Sequence, residues 1–107
     1  MNIKPTQRFL RDAKHLNKKF PSFKSDLSEK LETLIDNPHQ GKSLGRSAYK
    51  IRLAITSKGR GKSGGARLIT LVKIERETIY LLAVYDKSES ENLDANELDE
   101  LLTQVPE

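Results

Sequence analysis

Cysteine is absent from the 107-residue sequence, and this absence excludes several kinds of site. A chain without cysteine has no disulfide, no thiolate nucleophile and no cysteine-ligated zinc. The lack of disulfides fits a reducing compartment, so we expect a cytoplasmic protein. Histidine is scarce as well, because only His15 and His39 are present and they lie in different predicted elements. Two histidines without spaced partners do not indicate a metal site, so we expect neither a metal ion nor a cofactor.

Long apolar segments are also missing. The first residues, MNIKP, lack the apolar stretch of a signal peptide, and the longest apolar run, at residues 79–85, is far too short to cross a bilayer. We expect a soluble protein that is not exported and does not bind membranes. The length is that of one domain, so residues 1–107 are predicted to form a single domain with its site on the face of one core.

Positive charge is distributed unevenly along the chain. Residues 86–107 contain eight acids and one lysine, whereas residues 1–85 contain 18 Lys and Arg against seven Asp and Glu. A surface with this excess attracts polyanions through phosphate contacts and counterion release. The same charge is equally compatible with a basic protein that binds no nucleic acid, because charge reports on association and not on chemistry.

Two helices are predicted in the first third of the chain. The first follows a suitable N-cap, Thr6, and its apolar side chains recur at helical spacing: Phe9, Ala13, Leu16 and Phe20. The second can be capped by Ser22 or Ser25 and carries a stripe of Leu27, Leu31, Leu34 and Ile35. It ends at Asn37-Pro38, because a residue before proline is pushed out of the helical region. The two helices are predicted to form a hairpin with one shared buried face.

The hydrophobic period then changes from helical to alternating. Residues 49–56 alternate between apolar and partly basic positions, which predicts a strand with two different faces. A Gly/Lys/Arg/Ser-rich hairpin loop at 57–66 precedes two strands at 68–74 and 78–85, which are apolar at nearly every position and therefore central. Asp94 and Glu97 are compatible with the capping box of a last helix. The pattern predicts an α+β fold: an N-terminal helical hairpin packed on a small antiparallel twisted sheet, with a C-terminal helix.

Residues 61–63 (GKS) resemble the end of a phosphate-binding P-loop, but the rest of that motif is missing. A P-loop has glycine five residues before its Gly-Lys pair, and Thr56 occupies that position. The motif also joins a strand to a helix, whereas this segment joins two predicted strands. We therefore interpret the glycines as hairpin residues, while contact between the basic loop and RNA stays open.

The usual hydrolase arrangements are not found. No acid–histidine pair and no Ser-His-Asp order can be assembled. What remains is a set of cations and a tyrosine on neighbouring predicted strands: Lys50, Arg52, Arg67, Tyr85 and Lys87. Antiparallel pairing can bring these residues together. These residues also have purely structural interpretations. Lys50 and Arg52 would then form a solvated strand face, Arg67 would pair with Glu89 or Glu91, and Tyr85 would lie at the edge of the core.

At these residues the sequence resembles a known family. Residues 49–53 (YKIRL), 65–69 (GARLI) and 84–89 (VYDKSE) are similar to the RelE superfamily of type II toxins. The segments GKSGGAR and YDKSE resemble its HigB-type branch, and residues 9–14 (FLRDAK) and 37–41 (NPHQG) also match the style of the family. The resemblance spans nearly the whole chain in order, although no single motif is as specific as a zinc signature.

The resemblance implies a toxin that enters the ribosomal A site and cleaves mRNA there without a metal, thereby inhibiting translation. In this reaction a ribose 2′-hydroxyl attacks the adjacent phosphate, which requires a base, cations around the phosphate, and an acid for the leaving oxygen. Lys50 and Arg52 match the family's basic pair, and Lys50 is the better base because arginine stays protonated. Arg67 would stabilise the transition-state charge, Lys87 could be the acid, and Tyr85 could stack on a base or orient the ribose.

Further partners and two other functions follow from the same resemblance. The loop cations Lys58, Arg60 and Lys62 are predicted to bind RNA. A ParE-like inhibitor of DNA gyrase and a non-catalytic module that binds an antitoxin and helps to repress its operon both stay open. All three functions imply a cognate antitoxin protein, with operator DNA bound only through it. The first also implies the ribosome and mRNA as partners.

Overall fold

The computed structural model describes residues 1–58, 65–89 and 93–106. Its strands and helices are, in chain order, β1 (Asn2–Pro5), α1 (Gln7–Lys19), α2 (Phe23–Asp36), β2 (Lys42–Gly45), β3 (Ala48–Leu53), β4 (Ala66–Lys73), β5 (Thr78–Asp86) and α3 (Ala95–Leu102). Short 3-10 turns follow β3 at Thr56–Lys58 and β4 at Ile74–Arg76. The predicted α+β class, the helical hairpin and the C-terminal helix are confirmed.

Helix α1 begins where its capping residue predicts. The Thr6 hydroxyl accepts a hydrogen bond from the backbone N–H of Phe9 at 3.2 Å and donates one to the carbonyl of Leu81 in β5 at 3.0 Å. One side chain therefore caps α1 and fixes it to the sheet. Phe9 and Leu16 lie on the buried side of this helix.

Helix α2 is anchored through Asp26 and not through a serine cap. Ser22 occupies the N-cap position without a capping hydrogen bond, and its hydroxyl donates to Asp26 at 2.7 Å. Asp26 also accepts from the backbone N–H and the hydroxyl of Thr56, at 2.9 and 2.7 Å. Burial alone would raise the pKa of Asp26, but the hydrogen bonds from Thr56 and Ser22 hold it below its usual value. This carboxylate thereby fixes the turn after β3 against α2.

The five strands form one mixed sheet in the order β1-β5-β4-β3-β2. All neighbouring strands pair antiparallel except β1, which runs parallel to β5. The sequence predicts an antiparallel sheet, and the parallel pair has a physical origin: two helices and three other strands separate β1 from β5, so no tight turn fixes their relative direction. Strand β2 (KSLG) is missing from the prediction, because it is short and carries only one apolar side chain.

Helices pack on both faces of the sheet, and two hydrophobic clusters result. On one face α1 and α2 pack against residues that include Leu53, Leu68 and Val84. On the other face α3 packs against residues that include Ile69 and Leu82. Within the described ranges, no helix has the length and apolar character needed to cross a membrane.

A bulge in β5 decides which residues point to which face. Ile69 pairs with Ala83, but Thr70 pairs with Leu81, so Leu82 is the extra residue on β5. Leu82 and Ala83 consequently both belong to the cluster on the α3 side. Beyond the bulge the alternation is reversed, and Tyr85 lies on the α3 side instead of the helical-hairpin side.

Candidate functional site

The residues predicted to act together lie on adjacent strands. Arg52 of β3 is the Cα partner of Arg67 of β4, and Arg67 is the partner of Tyr85 of β5. Side chains at directly opposite positions of neighbouring strands share a face, so these three form a row across the sheet. Lys50 lies two residues before Arg52 on the same face. We call the part of the sheet that carries Lys50, Arg52, Arg67 and Tyr85 the cationic face.

Helix α3 packs on the same side of the sheet, against the other ends of β3 and β4. Leu98 and Leu101 of α3 belong to the cluster that contains Ala48 at the start of β3 and Leu71 in the second half of β4. The cationic face lies at the opposite end of these strands, where β3 ends and β4 begins. The chain therefore presents a cluster of cations next to a covered apolar surface.

Lys42 belongs beside this face, although the sequence reasoning missed it. Strand β2 places Lys42 directly opposite Lys50, so the two lysines lie on the same side of the sheet. Lys42 is exposed and Lys50 is half-buried. No sequence pattern marks Lys42, because its position depends on a short edge strand that the sequence does not predict.

The two arginines of the row differ in their surroundings. Arg67 is only 9% exposed, and its Nη1 donates to the carbonyl of Ala66 at 3.1 Å. Arg52 is exposed, and it also lines a groove of about 480 Å³ between β3 and α2, together with Glu29 and Lys30 of that helix. Arg67 is thus held by the fold, whereas Arg52 is open to a ligand.

Tyr85 is a neutral group at the end of the row. Its hydroxyl oxygen is buried and has no hydrogen-bond partner among the described residues. Burial raises the pKa of Tyr85, the positive charge of Arg67 lowers it, and Glu97 of α3 raises it again, with a raised value as the net result. The phenol therefore stays protonated at neutral pH and is unsuited to act as a general base.

On the opposite side of the sheet, where α1 packs, a buried carboxylate binds two lysines. Asp86 is 1% exposed; its Oδ1 accepts a hydrogen bond from Lys58 Nζ at 2.8 Å and its Oδ2 from Lys19 Nζ at 2.9 Å. Burial would raise the pKa of Asp86, but the bonds from Lys58, Lys19 and Ser88 lower it well below its usual range. Sequence reasoning missed this cluster, because its members come from α1, the turn after β3 and the end of β5.

The remaining predicted residues are placed as follows. Lys58, whose side chain is 16% exposed, is bound to Asp86, and its predicted contact with RNA stays a prediction. Arg60, Lys62 and Glu91 lie outside the described residues. Lys87 is half-buried in the turn after β5, where its backbone N–H donates to the carbonyl of Gly65 at 3.2 Å.

Both histidines, and Glu89 as a predicted partner of Arg67, take part in contacts away from the row. Glu89 accepts a hydrogen bond from Lys19 Nζ at 3.3 Å and lies 3.4 Å from Nε2 of His15. Nδ1 of His39 lies 3.1 Å from the hydroxyl of Tyr49. In the portions of the chain that the structure describes, no group of three or more His, Asp and Glu side chains could hold a metal ion.

Comparison with protein families gives one match that spans almost the whole chain. Residues 1–105 match the family model of the RelE toxin of the RelE/RelB toxin–antitoxin system. The match includes every strand and helix described above, and all residues of the cationic face.

The solved structures with a similar fold include several of E. coli proteins. A doubly substituted E. coli RelE toxin in the free state aligns with a TM-score of 0.66 at 20% identity, covering 98% of this chain and 97% of that one. The isolated E. coli RelE toxin aligns with a TM-score of 0.62 at 19% identity, covering 97% and 98%. A chain of the intact E. coli RelBE toxin–antitoxin complex aligns with a TM-score of 0.61 at 23% identity, covering 78% and 92%. At these identities the likeness concerns the fold.

Proposed function

The chain belongs to the RelE family of toxins of toxin–antitoxin systems, and we propose that it is an endonuclease that cleaves mRNA in the ribosomal A site. The observation that carries this proposal is the row formed by Arg52, Arg67 and Tyr85, with Lys50 beside it. A ligand that meets this face encounters several cations and one aromatic ring, which suits a phosphate next to an unstacked base.

The proposed reaction is an internal transfer within the RNA strand. The 2′-oxygen forms a bond to the adjacent phosphorus while the bond from phosphorus to the 5′-oxygen of the next nucleotide breaks. A base takes the proton of the 2′-hydroxyl, and an acid supplies a proton to the leaving 5′-oxygen. The products are a cyclic phosphate and a free 5′-hydroxyl, so the step consumes no water.

Lys50 is the proposed base, because a lysine amine can give up its proton, whereas the neighbouring arginines stay protonated. Lys42 lies opposite Lys50 and Arg52 lies two residues away on the same face, so a phosphate at Lys50 would meet further cations.

Arg52 and Arg67 are proposed to bind the reacting phosphate. The exposed Arg52 can grip a phosphate oxygen in the ground state. The buried Arg67 is already oriented, so it can stabilise the additional negative charge of the pentacoordinate phosphorus without reorganisation. Lys87 is the proposed acid, and Tyr85 is proposed to stack its ring on a base. Arg60 and Lys62 would add phosphate contacts outside the reacting centre.

A cognate antitoxin is the proposed protein partner. The E. coli RelE toxin has been solved with its antitoxin RelB, both as an intact complex and with a RelB peptide. We infer that this toxin likewise has an antitoxin, that it binds operator DNA only through that antitoxin, and that it acts in the cytoplasm, where ribosomes and mRNA are found.

The test of the proposal is induction of the toxin in cells without antitoxin, followed by mapping of mRNA ends. Wild type should arrest growth and cut messages at ribosomal A sites. Arg67→Ala should abolish the cuts, since loss of one preorganised donor costs a factor of about 10² to 10³. Arg76→Ala is the matched control, because Arg76 is an exposed arginine in the turn at the other end of β4, and it should behave as wild type.

Other outcomes separate the remaining functions. Intact mRNA together with stalled DNA gyrase would favour a ParE-like inhibitor. Harmless expression in the absence of antitoxin would favour a non-catalytic partner of the antitoxin. Equal toxicity of wild type and Arg67→Ala would remove Arg67 from the mechanism. Purified toxin should cut the same message on programmed ribosomes and leave it intact in free solution, and equal cleavage of both would contradict dependence on the ribosome.

A further inference from the structure

Asp86 is the last residue of β5 and lies between two residues of the proposed site, Tyr85 and Lys87. It belongs to the opposite side of the sheet, where cations from two other elements reach both of its carboxylate oxygens. Lys58 from the turn after β3 binds Oδ1, and Lys19 from the end of α1 binds Oδ2. A buried carboxylate held in this way resists displacement, because any movement would leave charge unpaired in the interior.

The contacts of Asp86 extend to the start of β4. Its Oδ1 also accepts the N–H of Ser88 at 3.0 Å, which fixes the turn after β5. Lys58 Nζ, bound to the same oxygen, lies 3.4 Å from the carbonyl of Gly65, and that carbonyl accepts the N–H of Lys87 at 3.2 Å. The carboxylate and its lysine therefore join the end of β5 to the residue that precedes β4.

Gly65 leaves little freedom at this junction. It has a φ of +51°, and a Cβ at this position would meet the carbonyl oxygen of Leu53 at 2.6 Å. The backbone of β4 thus begins in close contact with the end of β3. Since Arg67 follows two residues later, its position depends on how firmly this junction is held.

We propose that Asp86 is a positioning residue of the endonuclease, whose carboxylate, through Lys58 and Gly65, holds Arg67 and Tyr85 of the cationic face in register with Lys87 in the turn after β5. This inference rests on the proposed function. It assigns Lys58 to the support of the site and not to the RNA, because its ammonium is bound to Asp86 and its side chain is largely buried.

The test compares three substitutions in purified toxin on ribosomes programmed with a short mRNA. Asp86→Asn keeps the shape and removes the charge, Lys58→Met removes the partner on the β3 side, and Lys19→Met removes the partner on α1. Single-turnover cleavage is measured over a range of ribosome concentrations. This gives the maximal rate and the concentration of half-saturation separately for each variant.

A positioning role predicts a loss in the maximal rate. Asp86→Asn and Lys58→Met should each reduce it about 100-fold, since displacement of catalytic groups by about 1 Å has effects of this size. Half-saturation should change less than about threefold. A variant that combines Asp86→Asn with Lys58→Met should be no slower than the slower of the two single variants, because both substitutions break the same contact between Asp86 and Lys58. Lys58→Arg should recover much of the rate.

Lys19→Met is the matched control, because Lys19 binds the same carboxylate but is not connected to Gly65. It should lower the thermal midpoint of unfolding and leave the maximal rate within about threefold of wild type. Hydrogen exchange supplies a readout that does not depend on cleavage. The amides of Lys87 and Ser88 should exchange faster than in wild type in Asp86→Asn and Lys58→Met. Their exchange rates should be unchanged in Lys19→Met.

The outcomes that overturn the proposal are distinct from failure of the proposed function. A wild-type protein that does not cut mRNA on ribosomes contradicts the function, and the exchange measurement then decides whether Asp86 holds the junction. A wild type that cleaves, with Asp86→Asn folded and equally fast, contradicts the positioning role. Weaker half-saturation at an unchanged maximal rate in Lys58→Met would identify Lys58 as an RNA contact. Should Asp86→Asn fail to fold, Lys58→Met and Lys58→Arg decide the matter.

Discussion

Arg52 and Arg67 lie directly opposite each other on β3 and β4, so two arginines share one face of the sheet. Like charges at directly opposite positions destabilise a sheet, whereas a β-branched or aromatic pair would stabilise it. Two guanidinium groups on one face can also donate together to the oxygens of a phosphate, which the proposed reaction requires.

Substitution of Arg52 should separate stability from activity. Arg52→Gln keeps most of the side-chain length and removes one charge, so we expect the free energy of unfolding to rise by about 0.2–1 kcal/mol. Cleavage of ribosome-bound mRNA should fall by at least about tenfold. Urea denaturation measures the first effect and single-turnover cleavage the second. Arg76→Gln should change the free energy of unfolding by no more than about 0.5 kcal/mol and should leave cleavage unchanged. A loss of stability in Arg52→Gln would show that the guanidinium of Arg52 makes a net favourable contact.

Tyr85 is expected to act through its ring and not through its hydroxyl. That hydroxyl is buried with no hydrogen-bond partner among the described residues, so Tyr85→Phe should be neutral or should stabilise the fold by up to about 1 kcal/mol. Tyr85→Phe should also keep most of the cleavage rate, whereas Tyr85→Ala should lose it together with the packing. Thermal unfolding and cleavage are measured on both variants. A large loss of activity in Tyr85→Phe alone would assign the hydroxyl a role in orienting the ribose.

The elements that the sequence predicts correctly are those defined by local patterns. Helix α1 follows from the spacing of Phe9 and Leu16 and from the cap at Thr6, all of which lie within a few turns of chain. Strands β3, β4 and β5 follow from alternation or from continuous apolar runs. Lys50 and Arg52 could be assigned to one face because alternation along a strand needs no knowledge of its partners.

The features that sequence reasoning missed depend on contacts between distant segments. Without a bulge, strict alternation would place Tyr85 on the same face as Leu81, and the extra residue Leu82 reverses this. Nothing in the run of apolar residues marks where the bulge occurs. The ion pairs of Asp86 are likewise invisible in the sequence, because Lys19 and Lys58 lie 67 and 28 residues away.

The turn between β4 and β5 offers a test of stability that should leave the site untouched. Glu77 has a φ of +47°, in the left-handed region that costs a residue with a side chain about 1–2 kcal/mol. Glu77→Gly should remove this strain and stabilise the fold by about 0.5–1 kcal/mol after the loss of chain entropy. Glu75→Gly, in the same turn, should destabilise instead, because Glu75 is not among the residues with positive φ. Urea denaturation distinguishes them, and equal effects of both would contradict strain at Glu77.

Asp86 should make the folded protein sensitive to acid. Its pKa in the folded state lies well below the ordinary value near 3.9, because the bonds from Lys58, Lys19 and Ser88 outweigh the cost of burial. A carboxyl with a lowered pKa contributes stability that is complete above its unfolded pKa and is lost as the pH falls towards the folded value.

The free energy of unfolding of wild type should therefore be constant for this group above about pH 5 and should decline below it. Asp86→Asn should be less stable than wild type at pH 7. The difference should shrink as the pH falls through about 4, because protonation of Asp86 in wild type removes the negative charge that binds the two lysines. Asp26→Asn is the matched control. Its carboxyl also has a lowered pKa, but among the described residues it binds Thr56 and Ser22 and no lysine, so the stability difference should vary less with pH than that of Asp86→Asn. Urea denaturation between pH 3 and 7 measures these differences. A constant difference between wild type and Asp86→Asn over this range would mean that the stabilisation does not come from the charge of Asp86.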